Sequence, residues 1–124
     1  MLKKLSMLFG IVFVATGILG FVPGVTNDQN MLLGIFQVGT IHNIVHLLSG
    51  LAALLAATAK GDDYAQLYFR IFGIVYGLVT LDGFIQGTTV LGLFDINMAD
   101  NWLHAVLSVA ILGIGFGVPK SSKA

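Results

Sequence analysis

Four long apolar stretches constrain this chain more than anything else in it. Residues 5–22, 41–59, 64–85 and 98–118 are each long enough to cross roughly 30 Å of hydrocarbon as a helix. The first carries no charged residue, and the third contains Arg70 and Asp82. Hydrophobic residues make up 56% of the chain and charged residues 10%, whereas a soluble domain carries about 25% charged residues. So few charges cannot cover a water-facing surface, and lipid is the solvent these numbers imply. The 124 residues are then expected to form one membrane domain, an all-α bundle of four transmembrane helices. A net charge of zero argues against a nucleic-acid partner. The absence of cysteine rules out a disulfide framework and a thiolate metal site.

The basic residues set an orientation. Lys3, Lys4, Lys60, Arg70, Lys120 and Lys123 fall on or near one side of a four-span arrangement. The connections expected on the other side, residues 23–39 and 86–97, have no Lys or Arg. The positive-inside rule then places both termini in the cytoplasm, within the inner membrane of a cell. Lys3 and Lys4 before an apolar run also suit a signal peptide, but a clear small-x-small cleavage site is lacking, and the first span matches an internal one. The first span is therefore read as a mature helix.

The two halves resemble each other. Phe9-Gly10-Ile11-Val12-Phe13 matches Phe72-Gly73-Ile74-Val75-Tyr76, and Gly20-Phe21 matches Gly83-Phe84 at the same spacing. Further on, Leu33-Gly34-Ile35-Phe36 matches Leu91-Gly92-Leu93-Phe94, Asn43 matches Asn101, and His46 matches His104. Residues 5–59 and 64–118 are thus expected to be two parallel two-helix repeats. A two-span unit returns the chain to its starting side, so the copies relate by an axis along the membrane normal.

The repeat concentrates the polar residues. His42 and His46 are four apart and share one helix face, as do Asp100 and His104. Thr40 is expected to cap the second span, and Asn97 with Asp100 the fourth, in a capping box. His42, Asn43, His46, Asp100, Asn101 and His104 then converge just below the outer surface, and Asp82 at the outer end of span three can join them. One reading is structural: Asn and His bond across helices in lipid, at about 0.6 kcal/mol and up to roughly 2 kcal/mol per pair. A second is a metal site, with His42, His46, Asp100 and His104 as nitrogen and oxygen ligands of zinc and the asparagines supporting them. A third is a haem held axially by His46 and His104. A proton or small-solute path draws on the rule that ionisable groups within a membrane are often functional, but no polar group crosses the midplane.

Other features have simpler readings. Gly73-x-x-x-Gly77 and Gly113-x-x-x-Gly117 allow close helix contact, within the chain or in a dimer. Tyr64, Tyr68, Arg70 and Trp102 are expected as interfacial anchors. Residues 32–36 are expected to lie on the membrane surface or fold over the bundle, and residues 120–124 to form a disordered tail. No phosphate-binding loop, nucleophile elbow or His-Glu-x-x-His run is present.

Asn43-x-x-His46 followed by Leu47, Leu48 and Gly50, the Leu91-Gly92 pair, and Asp100-Asn101-x-x-His104 together resemble domain-of-unknown-function family 4383, small four-helix bacterial membrane proteins. The likeness runs from about Phe9 to Gly117. It implies a four-span inner-membrane protein in which the Asn and His positions are a family feature, and it implies no activity. The expected function is that of a non-enzymatic structural or interaction module, alone, as a homo-oligomer or in a larger membrane complex. The alternative is a metal- or haem-binding membrane protein.

Overall fold

The structure, a computed structural model, describes residues 1–120, so the tail expected to be disordered lies, at 121–124, outside the described residues. Helix α1 covers Leu2–Leu19, α2 Thr40–Thr58, α3 Asp63–Gln86 and α4 Met98–Gly117. All four are long and apolar enough to cross a membrane. The expected spans are therefore present, with shifted ends. Helix α1 begins three residues earlier than expected and takes Lys3 and Lys4 into its first turns. Thr40 is the first residue of α2 and Gly39 is its cap, without a side-chain bond. At α4 the expected capping box forms. The Asp100 amide donates to Asn97 Oδ1 at 2.9 Å, and the Asn97 amide donates to Asp100 Oδ2 at 3.0 Å. These two bonds satisfy amides that a helix start leaves without partners.

Each half is a helical hairpin, α1 with α2 and α3 with α4, and contact within a hairpin is far more extensive than contact between them. Glycines set the close approach. A Cβ on Gly50 would lie 2.7 Å from the Val14 amide nitrogen and 2.8 Å from the Gly10 carbonyl oxygen. In the second hairpin a Cβ on Gly115 would lie 2.9 Å from the Arg70 amide nitrogen. Backbone cannot yield as a flexible side chain can, so these positions admit only hydrogen. The glycine patterns singled out in the sequence contribute less. Gly73 packs on Leu112, whereas Gly77, Gly113 and Gly117 face open space.

The hairpins join through an aromatic seam. Phe13 stacks on Tyr76 at 5.5 Å between ring centres, and Phe9 meets Phe69 edge-on at 5.4 Å. Ser49 and Tyr76 hydroxyls bond at 2.9 Å, and the Tyr68 hydroxyl donates to the Ser49 carbonyl at 2.9 Å. Tyr68 is thus buried in the seam rather than anchoring at an interface. Arg70 donates to the Gly115 carbonyl at 2.8 Å and lies over the Phe116 ring. It ties α3 to α4 instead of reaching out freely. Tyr64 and Trp102 are exposed, as interfacial residues would be.

The connections at the far end hold short β-hairpins that periodicity did not reveal. Strand β1 (Met31–Leu32) pairs with β2 (Phe36–Gln37), and β3 (Thr89–Val90) with β4 (Phe94–Asp95). The repeated Leu-Gly-x-Phe explains them. Leu33 and Gly34 have φ of 55° and 70°, and Leu91 and Gly92 of 53° and 69°. Two successive positive φ angles make the tight turn whose twist matches paired strands. Leu32, Val38, Val90 and Ile96 are buried, so both loops fold over the bundle. The caps cross over, since β2 rests on α4 and β4 on α2.

Outward faces are apolar along the helices: Leu8, Leu55, Leu78 and Val109 are all more than half exposed. In a bilayer these side chains meet lipid as readily as a protein interior.

The glycine contacts lead to a direct test. Gly50→Ala forces backbone apart and is expected to destabilise the detergent-solubilised protein by about 1–3 kcal/mol. Gly113→Ala meets nothing and is expected to be neutral or mildly stabilising through helix propensity. Unfolding of both variants in a denaturing detergent titration separates the two outcomes.

Candidate functional site

The polar residues expected to converge lie where the second helix of each hairpin begins. His42 occupies the first turn of α2, His46 the next, and His104 the second turn of α4. All are turned inward by the helical repeat, with exposures of 1%, 5% and 2%. Ring centres are 4.5 Å apart for His42 and His46, 5.6 Å for His42 and His104, and 6.3 Å for His46 and His104. The three residues offer one ligand atom each, all within 4.8 Å of one another. His42 Nδ1 and Nε2, His46 Nδ1 and His104 Nδ1 are buried and make no well-formed hydrogen bond, although the Gln37 backbone lies close enough to His42 to interact weakly. Leaving a polar group unpaired in an apolar interior costs about 1–3 kcal/mol.

Each hairpin supplies a ring beneath its own histidine. Phe13 lies 6.0 Å from His46, and Tyr76 lies 6.0 Å from His104. These two aromatics stand at positions that match between the two halves of the sequence. Phe94 of β4 stacks on His42 at 4.8 Å from above. The Leu-Gly-x-Phe repeat was the signal for Phe94, although only the folded hairpin shows which helix it covers. Ser49, an isolated helical serine, bonds a neighbour as such residues commonly do, here the Tyr76 hydroxyl.

The asparagines belong to the clusters in sequence but work in the hairpins. Both are buried against the last turn of the preceding helix, Asn43 on Gly20 and Asn101 on Gly83. A Cβ on either glycine would collide with the asparagine side chain. Asn101 Nδ2 donates to the Gly83 carbonyl at 3.2 Å. Oδ1 of each asparagine is buried without a partner.

The two acidic residues stand apart from the rings. Asp100 is buried, but its carboxylate accepts the Asn97 amide in the helix cap. It is not one of the three residues whose ligand atoms converge. Asp82 does not reach the cluster. Its two oxygens accept from Gln86 Nε2 at 2.9 Å and from the Leu91 amide at 2.6 Å. Those bonds hold the tight turn between β3 and β4, so the carboxylate is spent on loop geometry.

Cavities flank the cluster. One of about 330 Å³ is lined by all three histidines, Tyr76, Val79 and Phe94 among others. Another of about 330 Å³ touches His46 from the α1 side, between Phe13 and Leu103. A polar hollow beside Gly20 and Asn43 opens among the first connection's residues, including Asn27 and Asp28.

The family described as "Domain of unknown function (DUF4383)" matches residues 3–117. The chain belongs to this family. No curated protein and no solved structure matches it significantly. Membership agrees with the four apolar helices and assigns no chemistry to the histidines.

Asn101→Ala tests the clasp on Gly83. The variant is expected to lose about 0.6–1.7 kcal/mol, the range of interhelical hydrogen bonds measured in membrane proteins. Asn101→Ala combined with Gly83→Ala should cost less than the two single changes together, because the sharpest clash of Gly83→Ala is with the side chain removed, leaving only the flexible end of Ile96 at 2.9 Å. Detergent unfolding of the three variants reads the coupling.

Proposed function

We propose that this chain is a non-enzymatic, multi-pass protein of the bacterial inner membrane, with both termini in the cytoplasm, acting as a structural or interaction module. The observation that carries this reading is how its polar side chains are used. Ser6 donates to the Ala53 carbonyl, Tyr68 to that of Ser49, Arg70 to that of Gly115 and Asn101 to that of Gly83. Each joins one helix to another. The apolar exterior suits a lipid bilayer, and its faces suit a second copy or a larger membrane assembly.

Orientation follows from charge. Lys120 pairs with Asp63 at 3.0 Å, and Ser6 meets Ala53. These contacts gather the start of α1, the end of α2, the start of α3 and the end of α4 at one end, with Lys3, Lys4 and Lys60. Cationic residues are retained on the cytoplasmic side. The β-hairpins and the histidines then face outward. We further infer that the hairpins are copies of one two-helix unit. The matched Phe13 and Tyr76, the paired turns and the two Asn-on-Gly contacts support it.

The natural chain has no cysteine, which makes the topology directly measurable. D28C is expected to react with a membrane-impermeant maleimide on intact spheroplasts, and K60C only after lysis. The opposite pattern would reverse the orientation. Substrate turnover by purified protein, lost on changing His46 or His104, would overturn the non-enzymatic reading.

A further inference from the structure

We propose that His42, His46 and His104 form a three-nitrogen binding site for a divalent transition-metal ion, with one coordination position open to the adjoining cavity. The proposal rests on three features of the cluster. The donors come from two helices, one from each hairpin, whose hairpins are joined by the aromatic seam and the crossed β-hairpins, so the site is held by the fold rather than by a loop. They already lie within 4.8 Å of one another. Four of their ring nitrogens are buried and make no well-formed hydrogen bond, the Gln37 backbone beside His42 being at most a weak partner, which is unusual for groups that each need a donor or an acceptor.

The required adjustment is small. A tetrahedral zinc ion at Zn–N distances of about 2.0 Å holds its nitrogens about 3.3 Å apart. The assignment therefore requires the nitrogens, now within 4.8 Å of one another, to close by up to about 1.5 Å through turns of the imidazoles. Imidazole suits zinc, copper and nickel, and an all-nitrogen site disfavours calcium and magnesium, which take oxygen. Three histidines with one vacant position is also the donor set of open zinc sites.

Asp100 is not a ligand in this assignment. Its carboxylate serves the α4 cap, one turn before His104. The three donors are neutral, so the ion's charge is balanced by what enters the open position, hydroxide or another small anion. The cavity of about 330 Å³ bordered by the three histidines has room for it and is otherwise lined largely by apolar side chains such as Val45, Leu48 and Val79. An ion suits the cluster better than a porphyrin. The Phe13, Tyr76 and His42 rings all stand within 6.0 Å of His46 or His104 and crowd the space beside the pair.

Metal binding is measured on full-length protein purified in detergent without a histidine tag or chelator, then exposed to zinc, cobalt or copper ions and desalted. Close to one equivalent of zinc per chain is expected. Cobalt should give the intense visible bands of a tetrahedral site, and copper an electron paramagnetic resonance spectrum split by three nitrogens. These readouts need no variant. H42A, H46A and H104A should each weaken zinc binding by more than about 100-fold, beyond the 10–100-fold typical of a supporting group. D100N should weaken it by about tenfold or less. Circular dichroism identifies any variant that fails to fold, and His→Asn changes then replace alanine. Four results would each overturn the three-histidine site. They are under about a tenth of an equivalent with every ion, retention by the triple alanine variant, a Soret band showing haem instead, and a D100N loss as large as that of the histidine variants.

Discussion

Close approach within each helical hairpin is the contact on which the rest of this structure depends. Gly10 and Gly50 in one hairpin, and Gly115 in the other, let helix backbones approach directly. In hydrocarbon no hydrophobic force drives apolar helices together, because lipid tails solvate them equally well. Packing at short range and interhelical hydrogen bonds must do it. The glycines supply the first, and they bring carbonyls such as those of Ala53, Gly83 and Gly115 within reach of side-chain donors for the second.

That approach also determines where the polar residues go. Once α1 and α2 are in contact, Asn43 has only the small surface of Gly20 in front of it, and Asn101 has Gly83. The histidine one turn further along then faces the bundle interior, where the two hairpins meet. Phe13 and Tyr76 close the space on one side, and Phe94 covers His42 from the β-hairpin end. The Asn-x-x-His motif therefore divides its labour. Asparagine fastens a hairpin, and histidine meets its counterpart from the other one.

The crossed β-hairpins add to this arrangement. Because β2 rests on α4 and β4 on α2, each half closes the other. Asn97 strengthens the link by donating to the Ile35 carbonyl at 2.8 Å. A cap contributed by the opposite half binds the hairpins at the end where the histidines lie. The seam of Phe9, Phe69, Tyr68 and Ser49 binds them nearer the lysines.

Much of this was legible in the residues themselves. Hydropathy and length determined four helices, since only a backbone bonded to itself is stable in lipid. The α4 capping box could be read because its partners are three residues apart. The shared face of His42 and His46 could be read because helical geometry alone places it. Long-range choices were not legible. Asp100 could be read both as a helix cap and as a metal ligand beside the histidines, and Asp82 as able to join their cluster, yet Asp100 serves the helix end and Asp82 holds a turn. Tyr68 looked like an interfacial anchor and is buried in the seam. Gly115, outside either glycine pattern, makes the contact that Gly113 and Gly117 do not. Local spacing says which residues share a face. Which face meets which neighbour depends on helix approach and on loops crossing between halves, and only the tertiary structure decided that.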